Sequence, residues 1–199
     1  MKKIIPVIFF FILTSFIFTN QSKSFRITYF ERIEITGSHE DDLPEYIVNL
    51  KCKIDGQLFY EAKTGEEFEF ENTIWEKAKQ IDKNRYQLLL ELNDRPNKSK
   101  ILLLTVEKKK LTNKQILPSF DTCFYNSNKT KEFAGNLEYA EGMENPNTTQ
   151  YIPTLFYTDK QNGIELDTAQ TLVFNKRKWG KFYGYEPNFN LILTPHTIK

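Results

Sequence analysis

The sequence contains few of the residues that build metal sites and nucleophilic catalytic sites. Among 199 residues it has two cysteines, Cys52 and Cys123, and two histidines, His39 and His196. No Cys-x-x-Cys or His-x-x-x-His spacing is present, which argues against a zinc site. A nucleophilic serine or cysteine needs a nearby base, and neither a Gly-x-Ser-x-Gly elbow nor a Cys-Gly-x-Cys motif occurs. We therefore expect no metal, no cofactor and no nucleophilic catalysis.

An excess of positive charge and long apolar runs are also missing from most of the chain. The formal net charge is +1, whereas a nucleic-acid-binding protein needs a basic face that displaces counterions from phosphates. After Phe18 no apolar run approaches the length that spans a membrane. No low-complexity linker divides the chain. Residues 25–199 are therefore expected to form a single β-rich domain that does not bind nucleic acid.

The first 24 residues have the order of a secretion signal. Two lysines precede an apolar run over Ile4–Leu13, and Ser22 and Ser24 supply small residues at a cleavage site before Phe25. Removal of this segment would take three lysines with it and change the net charge from +1 to −2. The segment predicts a secreted or periplasmic protein.

An uncleaved membrane anchor is the alternative reading of the same segment. As a helix, the fifteen residues Ile4 to Phe18 reach about 22 Å, which is less than the ~30 Å hydrocarbon core of a bilayer. Cleavage is therefore favoured, and we expect membrane attachment only if the segment is retained.

Alternating apolar and polar residues predict a mainly β fold, an antiparallel sandwich or barrel of about ten strands with one short helix. Two strands, 86–92 and 101–106, are apolar on both faces and should be central. A capping-box pattern at Thr73–Glu76 predicts the helix over Ile74–Asp82. The other predicted strands are 25–36, 46–54, 58–62, 66–71, 120–125, 132–139, 151–158, 163–166, 170–175, 179–185 and 189–193.

Asp55-Gly56 predicts a hairpin between the strands 46–54 and 58–62. Two registers are possible for this hairpin. A two-residue turn places Cys52 opposite Phe59, whereas a three-residue loop matches the apolar residues by placing Cys52 opposite Tyr60.

The two cysteines suggest one disulfide bridge, Cys52 to Cys123, because an even pair in an exported chain is often oxidised. The alternative is two separately buried thiols, and the sequence does not distinguish the two.

The segment Trp179–Tyr185 is the candidate binding surface. In a strand, Trp179, Lys181, Tyr183 and Tyr185 share one face, and Gly180 and Gly184 on the other face leave the rings uncrowded. Such a face could stack on sugar rings or on a partner. The alternative is that these rings pack into the core, as aromatic residues in strands often do.

Two basic clusters, Lys108–Lys110 and Lys176–Lys178, are expected to be solvated strand ends. The alternative for both clusters is contact with anionic lipid head groups or glycans.

These features favour an exported, non-enzymatic binding or interaction module whose ligand is a protein, a glycan or a small apolar molecule. The first alternative is a β-barrel carrier of a small apolar ligand, which requires an enclosed cavity of about 300 Å³ or more. A third is a glycoside hydrolase, which requires two carboxylates that converge in an open cleft.

Overall fold

Strands dominate the part of the chain that the structure describes. The computed structural model describes residues 24–70, 75–125, 130–137 and 149–196, and the predicted secretion signal lies outside them apart from Ser24. No helix in these ranges has the length and apolarity needed to cross a membrane. The elements are β1 (Ser24–Tyr29), β2 (Ile33–His39), β3 (Tyr46–Ile54), β4 (Gln57–Glu61), β5 (Phe68–Glu69), β6 (Ala78–Asp82), β7 (Arg85–Leu92), β8 (Lys100–Glu107), β9 (Lys110–Pro118), β10 (Phe120–Tyr125), β11 (Lys131–Gly135), β12 (Thr149–Tyr151), β13 (Leu155–Lys160), β14 (Gly163–Leu166), α1 (Thr168–Trp179) and β15 (Asn188–Leu193).

The first nine strands form one antiparallel sheet in the order β1-β2-β3-β5-β7-β8-β9, with β4 paired to β3 and β6 paired to β7. The sheet bends on itself and brings β2 near β7, although β3 and β5 lie between them in the strand order. The contact that shows this is a hydrogen bond of 2.7 Å from Arg32 Nη1, just before β2, to the Tyr86 hydroxyl on β7. Strands β4 and β9 approach without pairing, and the Lys114 Nζ atom lies 5.0 Å from the centroid of the Tyr60 ring. The predicted mainly β, antiparallel fold with one helix is confirmed. Of the two predicted architectures, the structure is consistent with the sandwich, because the strand order of the large sheet does not close into a barrel.

The two strands predicted to be central, β7 and β8, carry hydrophobic clusters on both faces. Leu88 and Leu90 belong to a cluster inside the bent sheet, and Leu89 and Leu103 belong to a second cluster on the opposite face. Since neighbouring residues of a strand point to opposite faces, an unbroken apolar run fills two cores at once. The predicted double burial of these strands is therefore confirmed.

A second sheet, ordered β10-β11-β13-β14, covers the second cluster. The Phe120 ring stacks on Phe133 with 4.7 Å between centroids and lies 5.5 Å from the Tyr157 ring. The remaining strands of the described ranges, β12 and β15, form a separate two-stranded sheet. The molecule is thus layered, with the bent sheet on one side of the second cluster and the four-stranded sheet on the other.

Helix α1 takes the place of a strand along the first residues of β13. The Thr171 Oγ1 atom accepts from Phe156 N at 3.0 Å, and the Asn175 Oδ1 atom accepts from Thr154 N at 2.9 Å. The Asn175 Nδ2 group donates to Thr154 O at 2.7 Å, and Asp167 N donates to Phe156 O at 2.8 Å. Because β14 ends at Leu166, the side chains of Thr171 and Asn175 and the backbone N–H of Asp167 satisfy the backbone groups of Thr154 and Phe156 that no strand pairs there.

The substitution Asn175→Ala is expected to lower the free energy of unfolding by about 2–3 kcal/mol, because it leaves the Thr154 N–H and C=O without partners. Urea unfolding measures the loss. The control Asn190→Ala, at an exposed position of β15, should change stability by less than about 0.5 kcal/mol. A loss below about 1 kcal/mol for Asn175→Ala would show that the helix does not depend on this contact.

The predicted strand over 25–36 is wrong, because the chain reverses in its middle. Phe30 and Glu31 have φ angles of 53° and 55°, and Tyr29 pairs with Ile33 to form a β1–β2 hairpin. No glycine or asparagine marks the reversal, and non-glycine residues seldom adopt positive φ.

The predicted helix over 74–82 is also wrong. Ala78–Asp82 forms strand β6, which pairs with β7 and buries Ala78 in the first cluster. Residues 71–74, including the predicted N-cap Thr73, lie outside the described residues. Pairing with a central strand has overridden a local capping pattern.

The β3–β4 hairpin combines both of the registers that the sequence allowed. Ile54 pairs with Gln57 across the two-residue turn, and a bulge after Cys52 then shifts the pairing so that Cys52 lies opposite Tyr60. The turn chemistry sets the register near Asp55-Gly56, and the apolar match sets it farther away.

Candidate functional site

The structure does not place the predicted binding residues on one strand. Trp179 is the last residue of α1, and Gly180 follows it in the left-handed conformation, with a φ angle of 75°. The Trp179 side chain is only 5% exposed. The predicted strands 170–175 and 179–185 are therefore wrong, and the helix takes Trp179 away from the face that was predicted for it.

Tyr151, which the sequence placed only in a strand, is the centre of the aromatic cluster that forms instead. Its ring meets Trp179 edge to face at 5.6 Å between centroids and Tyr183 at 5.2 Å. The Tyr151 hydroxyl donates to Gly184 O at 2.7 Å and accepts from Tyr183 N at 3.3 Å. Burial raises the pKa of the Tyr151 phenol above its ordinary value. These contacts hold the chain after α1 against β12.

The other three predicted binding residues remain at the surface. The Lys181 Nζ atom lies 5.6 Å from the centroid of the Tyr183 ring, and Tyr185 packs edge to face on Phe182 at 5.0 Å. Lys181, Tyr183 and Tyr185 are all exposed. The structure therefore keeps part of the predicted aromatic surface but separates Trp179 from it.

The disulfide expected between Cys52 and Cys123 is not formed, because both residues are free cysteines. Cys52 is buried in the cluster inside the bent sheet, whereas Cys123 packs against the cluster on the other face. The layer of β7 and β8 thus lies between the two thiols. Burial raises the pKa of the Cys52 thiol far above its ordinary value, which keeps it in the unreactive protonated form.

A cleft of about 650 Å³ lies between the bent sheet and the β13–β14 hairpin. We call it the inter-sheet cleft. Uncharged polar side chains supply much of its lining, together with apolar residues of the second cluster. The lining residues are Arg85, Gln87, Leu103, Thr105, Asn113, Gln115, Ile116, Leu117, Tyr157, Asn162, Ile164, Glu165 and Leu166.

Gln87 fixes the width of the inter-sheet cleft. Its buried side chain accepts from Ile164 N at 3.0 Å, which ties β14 to β7. A Cβ atom at Gly163 would lie 2.3 Å from the Gln87 Oε1 atom, and the Gly163 φ angle of 109° also excludes most other residues. Lys79 adds an ion pair to Asp159 of the same hairpin. The two walls are therefore held together by side chains from both sheets.

The lining of the inter-sheet cleft combines apolar side chains, uncharged polar side chains and two charged side chains, Arg85 and Glu165. Asn113, Gln115 and Thr105 present amide and hydroxyl groups that both donate and accept hydrogen bonds. Glu165 is the only carboxylate among the lining residues, and its Oε2 atom lies 2.9 Å from Lys160 Nζ. The pair of converging carboxylates that a glycoside hydrolase requires is not found among these residues.

A second depression of about 530 Å³, the α1 groove, lies on the outer side of the helix. Phe156 and Phe174 pack at 5.1 Å between centroids and form its aromatic wall, and Val173 adds an exposed aliphatic side chain. Asp167, Ala169, Gln170 and Arg177 complete the lining. This groove is more apolar than the inter-sheet cleft and is open to solvent.

The charged residues at the hairpin tips of the bent sheet neutralise one another. Asp55 accepts from Arg32 in a bidentate pair, at 3.0 and 2.7 Å, and lies 3.0 Å from Lys109 Nζ. Hydrogen bonds from Arg32 and then Lys109 hold the pKa of Asp55 well below its usual range. This network ties together three hairpins and is part of the fold rather than a binding site.

The part of the chain described by the structure contains no group of three or more His, Cys, Asp or Glu side chains that could hold a metal ion. Comparison of the chain with known protein families, with curated proteins and with solved structures finds no match.

Proposed function

We propose that this protein is an exported, non-catalytic binding domain whose inter-sheet cleft holds an uncharged, polyhydroxylated ligand, such as a neutral oligosaccharide. The order of charge, apolar run and small residues over 1–24 supports export. The lining of the cleft, in which amide and hydroxyl groups occur beside apolar side chains, is the single observation that carries the binding proposal.

The two kinds of lining match the two kinds of surface on a sugar. Sugar hydroxyls donate and accept hydrogen bonds, and the side chains of Asn113 and Gln115 do the same. The C–H faces of a sugar ring are apolar and can pack on Ile116, Ile164 and Leu166, the apolar lining residues that are not fully buried. An uncharged ligand fits because the two charged side chains of the lining already have partners: the Glu165 carboxylate is paired with Lys160, and Arg85 lies 3.4 Å from the Asp82 carboxylate.

The cleft is also pre-formed, which favours binding. The hydrogen bond from Ile164 N to Gln87 keeps the β13–β14 hairpin in place without a ligand. Residues that need not be ordered on association cost less conformational entropy when the ligand binds.

Titration with a panel of neutral hexasaccharides tests the proposal, with calorimetry as the readout. We expect binding to at least one of them, and Gln115→Ala should weaken it by about 2- to 10-fold, the range for one lost hydrogen bond. Gln57→Ala is the matched control, since Gln57 is an exposed glutamine at the start of β4 and does not line the cleft. Its affinity should equal that of the wild type.

Two results would contradict this proposal. Absence of binding across the panel would remove the ligand class, and equal loss in Gln115→Ala and Gln57→Ala would remove the cleft. Release of new reducing ends would instead support the hydrolase alternative.

The carrier alternative is supported by the α1 groove and not by the inside of the bent sheet, which side chains of the first cluster fill. Uptake of a fluorescent fatty acid that Val173→Asp abolishes would favour this alternative over the oligosaccharide proposal. Val173 lines the groove and is 57% exposed, so the substitution should not disturb the core.

A further inference from the structure

The chain from the end of α1 to β15 brings basic and apolar side chains together at the surface. The basic members are Lys176, Arg177, Lys178 and Lys181. The apolar members, which rank among the exposed large hydrophobic residues of the described chain, are Tyr183, Tyr185, Phe189 and Ile192. We call these eight residues the C-terminal patch.

Several contacts hold the segment that carries the patch as one region. His196 N donates to Lys178 O at 2.7 Å, so the chain after β15 returns to the end of α1. Tyr151 contacts both Trp179 and Tyr183, and its strand β12 pairs with β15. The end of α1, the chain that follows it and strand β15 therefore form one connected region.

The patch has a charge of its own. Residues 168–196 contain four basic side chains and one acidic side chain, Glu186, which is a net charge of +3 in a chain whose total is +1. The exposed apolar side chains lie in the same segment, and Ile192 is 65% exposed. Positive charge and exposed apolar area thus occur together.

We infer that the C-terminal patch binds an anionic lipid surface. Lysine and arginine are attracted to anionic head groups, tyrosine is favoured at the level of the head groups, and phenylalanine and aliphatic side chains enter the boundary with the acyl chains. An anionic polysaccharide would use the lysines but gives no role to the exposed apolar side chain of Ile192. The combination therefore favours lipid.

Co-sedimentation with vesicles tests this inference. One set contains phosphatidylcholine alone, and the other contains a quarter phosphatidylglycerol. We expect binding to the second set that falls as salt is raised, because salt screens exposed charges. Lys176→Gln should lower the partition coefficient by about fivefold, the usual effect of one basic residue near an anionic surface. Ile192→Ser should lower it by about tenfold, since it removes an apolar side chain.

Matched controls exist on the bent sheet. Lys110→Gln removes a lysine at the start of β9, and Leu58→Ser removes an apolar side chain of β4 that is 45% exposed. Neither residue belongs to the patch, so both variants should partition as the wild type does. All variants carry the same residues 1–24, and any contribution from that segment cancels in the comparison. Circular dichroism shows that each variant is folded.

Three outcomes would overturn the inference. Equal binding to both vesicle sets would show that anionic lipid is not recognised. Equal loss in Lys176→Gln and Lys110→Gln would place the surface elsewhere. Loss in Lys176→Gln with none in Ile192→Ser would indicate a soluble polyanion, and binding to heparin would then support that class of partner instead. The lipid inference does not depend on the inter-sheet cleft.

Discussion

Replacing Trp179 with alanine is expected to lower the free energy of unfolding by about 3–5 kcal/mol, the range for truncating a buried aromatic side chain. The ring is almost completely buried and meets Tyr151 edge to face. Its removal leaves a cavity between the end of α1 and β12, and the Tyr151 ring loses one of its two aromatic partners. Urea unfolding followed by circular dichroism measures the change.

Two further variants identify the source of this effect. Trp179→Phe keeps an aromatic ring at the position and should lose less than half as much as Trp179→Ala. Tyr183→Phe changes only a hydroxyl on an exposed ring and should stay within about 0.5 kcal/mol of the wild type. A loss below about 1 kcal/mol for Trp179→Ala would return Trp179 to the surface, where the sequence first suggested it.

The substitution Leu90→Ala is expected to cost about 2–5 kcal/mol of stability, as the truncation of a fully buried leucine does. Leu90 lies on the central strand β7, opposite Leu102 of β8, and both belong to the cluster inside the bent sheet. The neighbours cannot move far into the space, because the second cluster fills the opposite face of the same strands.

Leu58→Ala serves as the control for this prediction, since Leu58 is about half exposed on β4. It should change the midpoint of urea unfolding little, by less than about 0.5 kcal/mol in free energy. Equal losses for Leu90→Ala and Leu58→Ala would mean that β7 is not central.

Much of the sheet structure follows from local patterns. The bounds of β3, β10 and β14 agree with the alternation of the sequence, and the apolar runs of β7 and β8 predict burial on both faces. Where the chain turns without glycine, the prediction fails: the alternation on the two sides of Phe30 and Glu31 keeps the same phase, so two strands resemble one. The position of that turn is determined by the pairing of β1 with β2 and not by turn-forming residues.

Helix α1 was missed for a physical reason. Its fully buried face carries Thr171 and Asn175, which are polar, so the apolar periodicity that marks most helices is absent. The signals that could have found it are its caps. Asp167 is the N-cap, Gly180 ends the helix, and the last turn is basic.

The inter-sheet cleft could not be predicted from the sequence, because it forms where distant strands pack together. Gln87 on β7 contacts Ile164 on β14, which lies far along the chain. One wall also includes Asn113 and Gln115 of β9, a strand that the alternation did not reveal since most of its residues are exposed. Sites built from packed layers depend on the fold as a whole.

The polar face of α1 bears on how the protein avoids self-association. An unpaired strand edge is a template for strands of other molecules, and such pairing leads to aggregation. The first residues of β13 include Leu155 and Phe156, which would make an attractive edge of this kind. The Thr171 side chain and Asp167 N occupy the N–H and C=O groups of Phe156, and Asn175 occupies those of Thr154 just before β13. The helix thereby closes that edge to intermolecular pairing. Opening of α1 alone would therefore create an aggregation-prone species while both hydrophobic clusters were still folded.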